Sequence, residues 1–136
     1  MDSSSHGIVS LVRNKEGKFL LLEDGRPQMR GYWAPPHGRC ETSDTSEEAG
    51  VIRETLEETG LQVTPLRKLL TQPADTKVKT VSFWLVETAT TDSLKIDTSE
   101  SSNHGWFTIE EALKQKLYPG TKIFFEKVIN GEVLIS

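Results

Sequence analysis

The stretch RETLEETG, residues 53–60, decides how the rest of the chain is read. It sets Glu54, Glu57 and Glu58 within five residues, between an arginine and a glycine suited to ending a helix. Carboxylates that close repel one another, and an ordinary helix surface interleaves them with lysines one turn away. The spacings of Glu54 to Glu57 and Glu58, three and four residues, let these side chains converge along one helical flank. A hard divalent cation prefers oxygen ligands and would relieve that repulsion. A solvated acidic face satisfies the same spacing, so the surroundings have to decide.

Immediately upstream, Asp44 or Thr45 can cap a helix running from about Ser46 to Thr59, with Glu47 or Glu48 completing a capping box and Gly60 at the C′ position. At 100° per residue, Ala49, Ile52 and Leu56 form the expected core stripe, with Glu47 on the opposite side beside the other glutamates. Further upstream, residues 7–13 and 18–23 predict a hairpin across the turn signal NKEG, and residues 24–40 predict loop with at most a short strand. Downstream, LQVTPLRKLLT, KVKTVSFWLVET and GWFT predict strands. IEEALKQKL and TKIFFEKVIN predict helices split by a turn at Tyr118, Pro119 and Gly120. Strands, a helix between them and helices last imply a mixed α/β (α+β) layer architecture.

The 136 residues fit one domain, residues 1–136, with 35% apolar residues to close a core. A single cysteine, Cys40, excludes an intramolecular disulfide and makes a reducing, cytoplasmic setting the expectation. Nothing approaches a membrane span or a secretory leader, so no membrane partner is expected. Sixteen basic against twenty acidic residues, net charge −4, argue against broad attachment to long nucleic acid. A polyanionic ligand would therefore need a cation between it and the protein. His6 and His104 have no histidine or cysteine at zinc-ligand spacing, and Cys40 reads as structural.

The segment GRCETSDTSEEAGVIRETLEETGL, Gly38 to Leu61, resembles the box of the Nudix (MutT-like) hydrolase superfamily. The second half is in register as Arg53, Glu54, Glu57, Glu58, Gly60 and Leu61, with Thr55 where an apolar residue is usual. The first half departs. Asp44 stands for the expected glutamate, and one inserted residue separates it from Arg53, so either Asp44 or Glu47 pairs with that arginine. The resemblance runs from about Gly7 to Val128. It implies the Nudix fold, a mixed β-sheet sandwiched between helices, and a pyrophosphohydrolase acting on a nucleoside diphosphate-X substrate with Mg2+ as cofactor, Mn2+ being the alternative.

The resemblance makes Glu54 and Glu58 metal ligands together with the Gly38 carbonyl, and Glu57 either shares a second ion or orients it. Arg53 orients the glutamates. The proton of the attacking water goes to one of these carboxylates or to a later acid, for which Glu100 is the first candidate and Asp97 the second. YWAPPHGR resembles the W-x-P-P-K-G segment of the asymmetrical dinucleoside tetraphosphate hydrolases, with His37 in place of the lysine. A tyrosine usual beyond the box in that subgroup is missing around Lys77 to Lys79. Trp33, His37, Arg39 and Phe83 are the candidate substrate contacts. Trp33 either stacks on a base or fills the sheet edge, and one of Phe83 and Trp84 points to the core while the other lines the pocket. Arg26 and Arg30 could join Arg39 near the phosphates. Within the class the substrate is a dinucleoside polyphosphate or nucleoside triphosphate, with ADP-ribose or another nucleotide sugar as the alternative. A catalytically silent nucleotide-binding module and an acidic docking helix are the readings outside it, and a homodimer stays open.

Overall fold

The computed structural model describes residues 5–74, 78–96 and 98–135; Lys77 and Asp97, named above, lie outside them. Strands β1 (His6–Arg13) and β2 (Phe19–Asp24) form the expected hairpin. Its turn is closed by the Asn14 carboxamide oxygen, which accepts from the Glu16 and Lys18 amides at 3.0 and 2.9 Å, and by Gly17 at a φ of 78°. The loop that follows holds two short strands instead of at most one, β3 (Trp33–Ala34) and β4 (His37–Arg39). Then come α1 (Glu47–Thr59), β5 (Val63–Pro73), β6 (Thr80–Thr88), β7 (Ser101–Phe107), α2 (Ile109–Ala112) and α3 (Pro119–Ile129).

The strands make one mixed sheet in the order β3-β2-β1-β6-β5, with β4 on the start of β1 and β7 on β2. β1 and β6 run parallel in unbroken register from His6 opposite Thr80 to Arg13 opposite Glu87. Both faces of the sheet are covered, so alternate residues enter two separate cores. Val9, Leu11, Phe19, Leu21, Phe83 and Leu85 meet Phe124 and Phe125 of α3 on one face. Ile8, Val12, Leu20, Leu22, Trp84 and Val86 meet Val51 of α1 and Leu61 on the other. This is the mixed sheet between helices that the resemblance implied.

Four local expectations change. Ser46, not Asp44 or Thr45, caps α1, accepting from the Ala49 amide at 3.1 Å; neither glutamate completes a capping box because the third helical residue is Ala49. The buried side of α1 is Gly50, Val51, Thr55 and Thr59, whereas Ile52 and Leu56 are 40% and 46% exposed. Thr55 can be buried because its hydroxyl is satisfied twice over, by the Val51 carbonyl at 2.7 Å and the Ser10 hydroxyl of β1 at 2.9 Å. Pro119 and Gly120 are not a dividing turn: Pro119 occupies the first turn of α3, where its missing N–H is of no consequence. Finally, β7 starts at Ser101, six residues' worth of main chain pairing with β2, because a ladder at the sheet margin needs no apolar side chains.

Candidate active site

The antiparallel pairing of β4 with β1, with Ile8 opposite Gly38 and Val9 opposite His37, sets the main chain of residues 37–38 under the flank of α1. The Glu54 carboxylate lies so close over Gly38 that a Cβ added there would overlap it. Any other residue would push Glu54 out, which gives the glycine a physical reason. One residue earlier, the His37 amide donates to Glu58 Oε2 at 3.2 Å. Two glutamates one turn apart thus rest on two consecutive residues of one strand.

Arg53 orders the acidic side from behind. Its guanidinium forks onto Asp44, with Nε and Nη2 each 2.9 Å from a carboxylate oxygen, and Nη2 also donates to the Arg39 carbonyl at 3.2 Å. Nη1 reaches Glu54 at 2.9 Å, Glu41 at 3.3 Å and Glu57 at 3.4 Å. The inserted residue therefore leaves the pairing with Asp44, whose side chain is 6% exposed and also accepts from the Glu41 amide at 2.8 Å. Glu47 is used elsewhere: it accepts from the Trp84 indole and from Lys68, both at 3.0 Å, and stands 3.6 Å from His6. It does not join the Glu54, Glu57 and Glu58 flank.

The electrostatics follow this division. The Arg53 fork holds the Asp44 carboxyl below its ordinary range, and the same contact raises Arg53. Burial pushes the Glu54 carboxyl up, more than Arg53 brings it down, and the nearby Glu57 adds to the rise. Glu54 is thus a desolvated carboxylate with its charge only partly answered. That is the condition under which an added cation is most favourable.

Among the described residues, no three His, Cys, Asp or Glu side chains already converge on a single cation position. Glu54 and Glu58 are joined through the main chain at residues 37–38 instead, and Glu57 is exposed at the outer rim. The all-oxygen donor set, the glycine cradle and the underneutralised Glu54 fit a hard divalent ion.

The remaining sequence candidates divide. His37 is exposed, with Nδ1 2.9 Å from the Pro35 carbonyl oxygen, and Arg39 is exposed. Trp33 is half-buried, edge-on to Phe107 at 5.3 Å, so its ring fills the sheet margin. Phe83 is 2% exposed and stacked on Phe124 at 4.1 Å. It cannot line a pocket, because the sheet is covered on both faces and both Phe83 and Trp84 are core residues. Arg26 is tied to Asp24 at 2.8 Å. Glu100 is exposed in the turn before β7, its carbonyl held by the Gly25 amide at 2.9 Å, and the ion pairs of the cluster do not include it.

One feature escaped the sequence reading: Tyr118, 94 residues away from Asp24, donates its hydroxyl to that carboxylate. Burial and this bond push the Tyr118 phenol up to about 12. Burial alone would raise Asp24, but the Arg26 and Tyr118 hydrogen bonds bring it down to about 2. The signal within reach of sequence was local, an Asp-Gly-Arg turn in which Asp24 also accepts the Arg26 amide at 2.9 Å.

A sheet between helices, with an arginine-ordered row of glutamates laid on a glycine, defines a hydrolase of phosphoric anhydride bonds. The sequence matches the NUDIX domain over residues 5–128, and the chain belongs to that family. It is 32% identical over 113 residues to an asymmetrical bis(5'-nucleosyl)-tetraphosphatase from Rattus norvegicus, covering 77% of this chain and 74% of the relative. Its fold is similar to a C. elegans Ap4A hydrolase binary complex, with a TM-score of 0.74, 26% identity and coverage of 94% and 97%. It is similar also to a MutT protein from Methanosarcina mazei Go1, with a TM-score of 0.74, 26% identity and coverage of 93% and 94%. Among the described residues no helix is long and apolar enough to cross a membrane.

Proposed function

We propose that residues 1–136 act as one unit, a Mg2+-dependent pyrophosphohydrolase that also accepts Mn2+ and cleaves a nucleoside diphosphate-X compound, a dinucleoside polyphosphate or nucleoside triphosphate before others. The observation that carries this is the seating of Glu54 and Glu58 on the Gly38 and His37 main chain, backed by a guanidinium that Asp44 holds in place. Similarity to tetraphosphatases supports the dinucleoside polyphosphate within that class. The free, buried Cys40 supports a reducing, cytoplasmic setting.

Glu54, Glu58 and the Gly38 carbonyl would hold the ion, with Glu57 at the rim as an outer ligand or orienting group. When bound, a divalent ion neutralises two phosphates and favours attack by water in line with the leaving phosphate. The chain's own contribution is positional. Asp44 keeps Arg53 at the back of the cluster, so that its Nη1 orders Glu54 and Glu57 without occupying the front. His37 and Arg39, exposed beside Gly38, face the phosphates as hydrogen-bond donors. A box carboxylate or Glu100 takes the proton of the attacking water, and Glu100→Gln separates the two: a loss in kcat at unchanged metal requirement assigns Glu100.

Phosphate release from a panel of nucleotides is to be measured with Mg2+, Mn2+ or chelator, on the native protein and Glu58→Gln. The expected result is a metal requirement and a fall of about 100-fold or more in the variant. Turnover indifferent to both would leave an acidic docking module as the better account.

A further inference from the structure

The tryptophans of the chain are unequally partnered. Trp33 stands edge-on to Phe107, and Trp84 donates its indole N–H to Glu47 while Lys68 Nζ lies 5.8 Å from the centre of its ring. Trp106, on β7 opposite Leu20, is half-buried against the core that holds Leu20 and Val86. Among the described residues it has no ring partner, no cation over its face and no acceptor for its N–H. Buried indoles ordinarily place that N–H on a partner.

Trp106 lines a cavity of about 500 Å³ between the β1–β2 turn and the loop after β6, a volume within the range of small-molecule sites. Both walls are fixed. On one side the Asn14 carboxamide oxygen accepts the Glu16 and Lys18 amides, which sets the direction of its NH2 group and leaves that group to donate. On the other, the Thr88 hydroxyl donates to the Thr90 carbonyl at 2.7 Å, and the Asp92 amide to the Thr90 hydroxyl at 3.1 Å. Lys15, Glu16 and Asp92 also line the cavity; they are exposed and form no ion pair among the described residues, so the rim is net negative. The carboxylate site is elsewhere: Val9, which faces His37 across β1 and β4, lies five residues before Asn14, about 17 Å along the strand.

We propose that this cavity is a nucleoside-binding site separate from the carboxylates. The open indole face stacks a base of any kind. The Asn14 NH2 group donates to an acceptor on the base edge, and the indole N–H to a ribose oxygen. A carboxylate of Glu16 or Asp92 accepts from the ribose diol, the role acidic side chains take in dinucleotide sites. The net negative rim favours the uncharged nucleoside over its phosphates. The proposal goes beyond the hydrolytic reading and stands independently of it, since it uses neither the metal nor the Glu54, Glu57 and Glu58 flank.

The test is a titration of the native protein with adenosine, AMP and ribose, followed by nuclear magnetic resonance at the indole N–H signals, with Trp106→Phe assigning the Trp106 signal. Adenosine is expected to shift that signal saturably, ribose to leave it in place, and AMP to bind no more tightly than adenosine. Ala89→Phe, on the exposed loop that lines the cavity, fills it from outside the core. It should weaken adenosine at the Trp106 signal at least about tenfold while nucleotide turnover stays within about twofold of native. Should that variant fail to fold, Thr91→Phe takes its place in the same assays. A Trp106 signal that adenosine leaves unmoved, or that ribose moves as far, overturns the proposal, as does unaltered adenosine binding in a folded filled variant. A parallel tenfold fall in turnover would make the cavity part of the reaction centre and overturn its independence, whereas absence of turnover in the native protein removes the hydrolase reading alone.

Discussion

Replacing Asp44 by asparagine removes one charge and almost no volume, and it acts on the joint that holds the acidic cluster together. In the native chain Asp44 accepts two guanidinium bonds from Arg53, each 2.9 Å, and the Glu41 amide at 2.8 Å, with its side chain 6% exposed. Hydrogen bonds to charged groups contribute about 1.5–3 kcal/mol each, and stranding one partner of a buried pair costs about 3–5 kcal/mol. Arg53 is not stranded here, since Glu54, Glu57, Glu41 and the Arg39 carbonyl remain within reach, so the loss falls to about 2–3 kcal/mol. For a domain of this size that lowers Tm by about 7–10 °C in a thermal unfolding scan. The released guanidinium swings toward Glu54 and Glu57, where it competes with the cation. Half-maximal activity should then need about tenfold more Mg2+. Were Asp44→Asn to leave Tm and the Mg2+ requirement unchanged while Glu47→Gln altered the Mg2+ requirement, the division of labour between the two acids would be refuted.

Gly38→Ala places a methyl group where the Glu54 carboxylate lies; the side chain can swing aside, so unfolding free energy should fall by no more than about 1 kcal/mol while activity drops at least about tenfold. Thr55→Val removes a buried hydroxyl bonded to Val51 and Ser10 and should cost about 1–2 kcal/mol in urea unfolding, most of it recovered in the Ser10→Ala, Thr55→Val double variant, where neither partner is left unpaired. Asp24 has its folded carboxyl lowered from 3.8 to about 2, so its stabilisation is complete above about pH 4 and is lost as pH falls toward 2. Screening at the half-open Arg26 limits this to about 1–2 kcal/mol, visible as a smaller drop in stability between pH 5 and pH 2.5 for Asp24→Asn than for the native chain.

Residues that act within one turn of each other were legible in the sequence. The carboxylate spacing, Gly60 at the helix end and the Asn14 to Gly17 turn all depend on local geometry, and each stands in the structure. The buried side of α1 was not legible, because apolar counting favours Ile52 and Leu56, while the interior positions are Thr55 and Thr59, whose hydroxyls bond the carbonyls one turn back. Nor could alternation on β6 separate core from pocket, since a strand in the interior of a doubly covered sheet is buried on both sides. The choice between Asp44 and Glu47 depended on what else each acid could reach. Trp84 and Lys68, supplied by strands far along the chain, claim Glu47 and leave Asp44 to the arginine. The same distance in sequence hid Tyr118 and Asp24 from each other.

The proposed grip of Glu54 and Glu58 on a divalent ion at Gly38 is read without any substrate by paramagnetic resonance of added Mn2+. The native protein should quench the free Mn2+ signal saturably, and the double variant Glu54→Gln, Glu58→Gln, with its fold intact by circular dichroism, should leave the signal free at the same concentrations. Equal quenching by both proteins, or none by either with nucleotide hydrolysis still proceeding, would contradict it.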